Sequence, residues 1–105
     1  MRIAVLTYDH PHRKTQDVLF RLKALGYEAM VIATPWKERK NFVPIYRHRP
    51  DNCIDISLEE MCRNMRFVFF KTTDLQKTLD EINPDVSLIA GAGILDIDGH
   101  KIINS

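Results

Sequence analysis

Glycine is scarce in this chain. Only four stand in 105 residues, and none falls in the turn after the first apolar run, Thr7-Tyr8-Asp9-His10-Pro11-His12. A dinucleotide fingerprint needs glycines there so that backbone can approach the pyrophosphate. NAD and FAD are therefore not expected. Long hydrophobic runs are also missing: nothing approaches the roughly 20 apolar residues of a membrane span. The apolar part of the N-terminus, Ile3-Ala4-Val5-Leu6, is too short for a signal peptide and lacks a small-residue cleavage site. Cys53 and Cys62 are the two cysteines and match no zinc or redox spacing. Both are expected to be reduced thiols in a cytoplasmic protein. The net charge of +1 leaves no strong excess of either sign.

That near-neutrality hides an asymmetry. Residues 1–50 carry ten Lys/Arg against four Asp/Glu, and residues 51–105 carry five against ten. The basic excess is densest in Lys37, Arg39, Lys40, Arg47 and Arg49, with His48 among them. Such a loop can attract phosphate or nucleic acid, although charge clusters of this kind are commonly a solvated face. No nucleic acid partner is expected. Arg47 and Arg49 are candidate contacts for a phosphorylated small molecule.

Apolar content of 45% and charged content of 28% suit one globular domain with a modest core. Ile3-Ala4-Val5-Leu6 is a continuous apolar run of the kind a strand covered on both faces needs. A helix follows with Val18, Leu22 and Leu25 on one stripe and Gly26 as its stop. Ala29 to Ala33 forms the second strand, closed by Thr34-Pro35. Residues 36–56 carry Pro44, Pro50 and many charges without a period, which predicts a long functional or mobile loop. Ser57-Leu58-Glu59-Glu60 is a capping box, and Leu58, Met61, Cys62 and Met65 then share a helical face. Phe67 to Phe70 is a third strand. Thr73-Asp74-Leu75-Gln76 has the pattern of another capping box, with Leu75, Leu79 and Ile82 inward and Asn83-Pro84 as the stop. Val86 to Ala90 is the fourth strand and Lys101 to Asn104 the fifth.

Strands alternating with helices at this spacing imply βαβ units and right-handed crossovers. The expected architecture is α/β, a Rossmann-like three-layer sandwich with a mostly parallel central sheet of about five strands. The first and fourth strands should be central neighbours, placing the crevice where Thr7 to His12 meets Gly91 to Leu95.

Several residues in this frame could carry chemistry. Tyr8, Asp9, His10 and His12 occupy the first crevice turn and are candidate substrate contacts. His10 and His12 with Asp9 could in principle hold a metal ion, but a third and fourth ligand are not evident, so no metal is expected. Asp96-Ile97-Asp98 resembles a divalent-ion motif of glycosyltransferases, yet Asp98-Gly99 is a strong turn signal by itself. Asn104 ends a predicted strand, where a side-chain amide can donate to a developing oxyanion.

The run Ala90-Gly91-Ala92-Gly93-Ile94-Leu95, followed by Lys101-Ile102-Ile103-Asn104-Ser105, resembles the folate-dependent formyltransferases. These include glycinamide ribonucleotide, methionyl-tRNA and amino-sugar N-formyltransferases. The resemblance implies 10-formyltetrahydrofolate as co-substrate and a small-molecule amine acceptor, an amino sugar or nucleotide-linked substrate. It implies that Gly91, Ala92, Gly93, Ile94 and Leu95 line the pterin site and that Asn104 is catalytic. The family signature is Asn, a spacer, then His, with an Asp further on. Asn104 and Ser105 match its first half, so the chain is expected to be the front part of such an enzyme, inactive alone. Tyr8 to His12 replaces the glycine-rich phosphate loop of the glycinamide ribonucleotide enzymes, which argues against that acceptor. The connection from Leu95 to Asn104 is also shorter than in the family, so a helix there is expected to shrink to a turn.

Two other readings stay open. Arg2 to Tyr8, with the helix and Gly26-Tyr27-Glu28-Ala29, is similar to the start of GT-B-type glycosyltransferase N-terminal domains, which bind the acceptor. A non-catalytic module that binds an anion or partner through residues 36–50 is the other. An uncovered fifth strand could also pair two copies through the sheet edge.

Overall fold

A computed structural model of the chain describes residues 2–35, 56–91 and 97–104. Five strands and three helices alternate: β1 (Ile3–Tyr8), α1 (Arg13–Ala24), β2 (Ala29–Thr34), α2 (Leu58–Met65), β3 (Val68–Lys71), α3 (Leu75–Ile82), β4 (Val86–Gly91) and β5 (Ile102–Asn104). The sheet order is β3-β2-β1-β4-β5, and every pairing is parallel. This is the expected Rossmann-like α/β fold, with β1 and β4 adjacent. The order reverses between them because β2 and β3 are added on one side of β1, and β4 and β5 on the other.

Two apolar layers hold the sheet. On one face Ile3, Val5, Val31 and Ala33 meet Leu19 and Leu22 of α1 and Leu58, Met61 and Cys62 of α2. On the other, Ala4, Leu6, Ile32 and Ile89 meet Leu75 and Leu79 of α3, with Ile97 and Ile102 packed alongside. Strand alternation sends neighbouring residues to opposite layers, and both layers are covered. This accounts for the unbroken apolar run Ala4-Val5-Leu6, none of which is exposed at all.

Helix ends follow their local chemistry, with three departures from expectation. Gly26 (φ +80°) ends α1 as predicted: its N–H donates to the Lys23 carbonyl at 3.1 Å, and the Tyr27 N–H donates to Leu22 at 3.0 Å. This is the Schellman arrangement, whose left-handed residue favours glycine. Because the helix closes there, Leu25 falls outside the buried stripe and is 62% exposed, contrary to expectation. The α2 terminus uses the same two bonds with Arg66 at φ 62°, which brings Phe67 back to donate to Cys62. Phe67 is thus a buried helix-end residue, and β3 starts one residue later. Ser57 caps α2 as expected, accepting from the Glu60 N–H at 3.2 Å. The predicted box at Thr73 is shifted: Asp74 is the cap of α3, accepting from the Lys77 N–H at 3.1 Å. Thr72 holds Asp74 in place by accepting from its N–H at 3.0 Å.

Candidate functional site

Parallel strands deliver their carboxyl ends to one edge, and the order reverses there between β1 and β4, the position at which open α/β sheets seat their ligands. At that edge the pairing slips: Leu6 lies opposite Ile89, but Thr7 lies opposite Gly91, leaving Ala90 as an extra residue. Bulges of this kind re-aim the chain that leaves a strand. Gly91 ends β4 in register with Thr7. Ala92, Gly93, Ile94 and Leu95 lie outside the described residues, as do Arg47 and Arg49.

The turn after β1 is anchored without glycine. Thr7 is buried, and its hydroxyl lies 2.9 Å from that of buried Thr15 in the first turn of α1. Tyr8 closes the strand half-buried, and the His10 N–H folds back onto its carbonyl at 2.8 Å. His12 is the N-cap residue of α1 in extended conformation (φ −148°), and its side chain makes no capping bond. Its Nδ1 is buried and has no partner among the described residues. The first turn of α1 contains no carboxylate, so the positive end of the helix dipole faces this turn without an acidic side chain of that turn opposing it.

Asp9 turns the other way, toward β2 and β3. Its N–H donates to the Thr34 carbonyl at 2.7 Å, and its carboxylate lies 3.3 Å from the Lys71 Nζ. The two charges sit over a hollow of about 440 Å³ lined by Asp9, Ala33, Thr34, Pro35, Lys71, Thr72 and Thr73. Sequence reasoning singled out Asp9 but missed Lys71 and the threonines. The rule that every parallel strand ends on the same edge was the signal that could have found them. So the predicted substrate residues divide. Tyr8, His10 and His12 belong to the β1–α1 turn, whereas Asp9 is committed to an ion pair over β1–β3.

Asn104 ends β5, its backbone in register with Ile89. Its strand is approached by a polar cluster that sequence reasoning also missed. Gln76 and Asp80 of α3 bond the turn at Asp98 to His100, and Gly99 there adopts φ +77°. The predicted turn at Asp98-Gly99 is therefore present. The hydrogen bonds from His100 and from Gln76 hold the Asp80 carboxyl below the usual carboxylate range.

Cys62 is a free thiol buried against the α2 side of the sheet, and desolvation pushes it up to about 12. The thiolate nucleophile is absent at neutral pH, so this residue packs rather than reacts. Cys53 lies outside the described residues. Among the described residues no three His, Cys, Asp or Glu side chains gather closely enough to hold a metal ion. None of their helices is long and apolar enough to cross a membrane. Comparison with family models, curated proteins and solved structures finds no match to this chain.

Proposed function

We propose that this chain belongs to a cytoplasmic formyltransferase that moves a formyl group from 10-formyltetrahydrofolate to a small-molecule amine. The observation that carries the reading is the β1/β4 switch point, where Thr7 is in register with Gly91 and β5 brings the Asn104 backbone alongside Ile89. A flat pterin needs apolar walls and backbone amides and carbonyls along its edge. Gly91 to Leu95 offers both in composition. The acceptor amine attacks the formyl carbon, and the Asn104 amide donates to the oxygen as it gains charge. The intermediate collapses by breaking the bond from that carbon to folate N10, so that tetrahydrofolate leaves with the proton the amine gives up. The positive end of α1, with Tyr8, His10 and His12 around it, suits an acceptor bearing phosphate. An amino sugar or nucleotide-linked amine fits that description.

Calorimetry with 5-formyltetrahydrofolate, a stable analogue of the donor, tests the reading. The chain is expected to bind it, and Asn104→Ala to weaken binding roughly tenfold, the loss of about one good hydrogen bond. No heat above dilution with the wild type would contradict it. The Asp9–Lys71 hollow favours one second reading, a module that takes its ligand over β1–β3. Binding there would survive Asn104→Ala and fall with Lys71→Ala.

A further inference from the structure

β5 is a weak element on its own. It has only three residues at the margin of the sheet, and its central Ile103 is 45% exposed. A strand this short, paired on one side, has few bonds to hold it. Before it, residues 97–101 run from the carboxyl edge of the sheet to the start of β5, alongside α3, which descends in the same direction from the end of β3 to the start of β4.

That segment is pinned twice. The Gln76 side chain treats the Asp98 peptide as a neighbouring strand would: its Nε2 donates to the Asp98 carbonyl at 2.9 Å, and its Oε1 accepts from the Asp98 N–H at 2.9 Å. One helical turn later, Asp80 Oδ1 accepts from Gln76 Nε2 at 3.0 Å and lies 2.8 Å from His100 Nε2. Residues four apart share a helix face, so both pins act along one line. Both amide hydrogens of Gln76 are used. A carboxylate can only accept, so His100 carries a proton on Nε2 whether the ring is neutral or charged. The imidazole is 6% exposed and the carboxylate 58%. An acid–base dyad needs an accessible imidazole; here the ring is the sheltered member, as a clamp requires.

We propose that Gln76 and Asp80 are positioning residues: they latch the Asp98–His100 turn to α3 and thereby set where β5, and Asn104 at its end, lies relative to the β1/β4 switch point. The latch stands on its own geometry, and its meaning for formyl transfer rests on the reading above.

Amide exchange followed by NMR on the 105-residue chain tests it, with β1 and β2 as internal references. Asp80→Ala and Gln76→Ala are each expected to speed exchange at Ile103, the β5 amide that the register turns toward β4, about tenfold, as loss of a charge-assisted or paired bond implies. The β1 and β2 amides should hold their rates. Asp80→Asn keeps an acceptor for His100 and should restore most of the protection. The wild-type His100 ring should show the Nε2–H form by its nitrogen shifts, a readout that needs no variant. Unchanged exchange in β5, or an Nδ1–H ring, overturns the latch. Folate affinity on the same samples separates the two readings. If the wild type ignores 5-formyltetrahydrofolate while the variants free β5, the latch stands and formyl transfer falls. If the wild type binds and Asp80→Ala binds about tenfold less tightly, the positioning role is supported; equal affinity overturns it.

Discussion

Ser87 occupies the middle of β4, fully buried, with its hydroxyl unpartnered among the described groups. It stands between Ala4 and Ile102, on the face that α3 covers. A buried hydroxyl without a partner costs its desolvation penalty, so removing it should help. Ser87→Ala is expected to leave the fold intact and raise unfolding stability by about 1 kcal/mol in urea titration; a clear loss would show that the hydroxyl is satisfied. Cys62 shows the opposite case, a group whose environment was readable beforehand. Its spacing with Leu58 and Met61 marked a helical face, and all three are buried. Asp9 was legible only as a candidate. Its partner Lys71 lies 62 residues further along, and no local pattern encodes a pairing across three strands.

Among the elements, helix type and position were well marked by periodicity, while ends were decided by competition between adjacent groups. Thr73 and Asp74 are both capable caps, and the box pattern favours Thr73. Asp74 prevails because Thr72 accepts from its N–H and from the Thr78 hydroxyl at 2.8 Å, fixing the entry to α3 one residue later. Asp74→Ala should therefore cost about 1 kcal/mol and Thr73→Ala much less, measured as paired shifts in chemical unfolding. Equal costs would contradict the assignment. Gln76, read as the distal member of that box, was thereby left to bond Asp98 and Asp80. The same network gives β5 a pH dependence of definite sign. Asp80 has a lowered folded-state value, so its contribution is present above the unfolded carboxyl value of about 3.9 and is lost as pH falls through the folded one. The latch should hold at neutral pH and loosen only in strong acid.

At the scale of the whole molecule, the sheet order was legible because alternating apolar runs and amphipathic helices leave few right-handed arrangements. The adjacency of β1 and β4 followed from that, and with it the switch point. What sequence did not reveal is that the same edge carries a second feature, the Asp9–Lys71 hollow over β1–β3. It is assembled from the ends of three strands, and depth at such a junction depends on side-chain sizes that no single segment specifies. The two places compete as ligand sites, and the β1/β4 switch point is the proposed one. Residue-resolved NMR titration of the chain with 5-formyltetrahydrofolate tests that placement most directly. Saturable shifts are expected at Thr7, Gly91 and Asn104, with little change at Thr34, Lys71 and Thr73. Shifts confined to the Asp9–Lys71 hollow, or none at any of these residues, would contradict it.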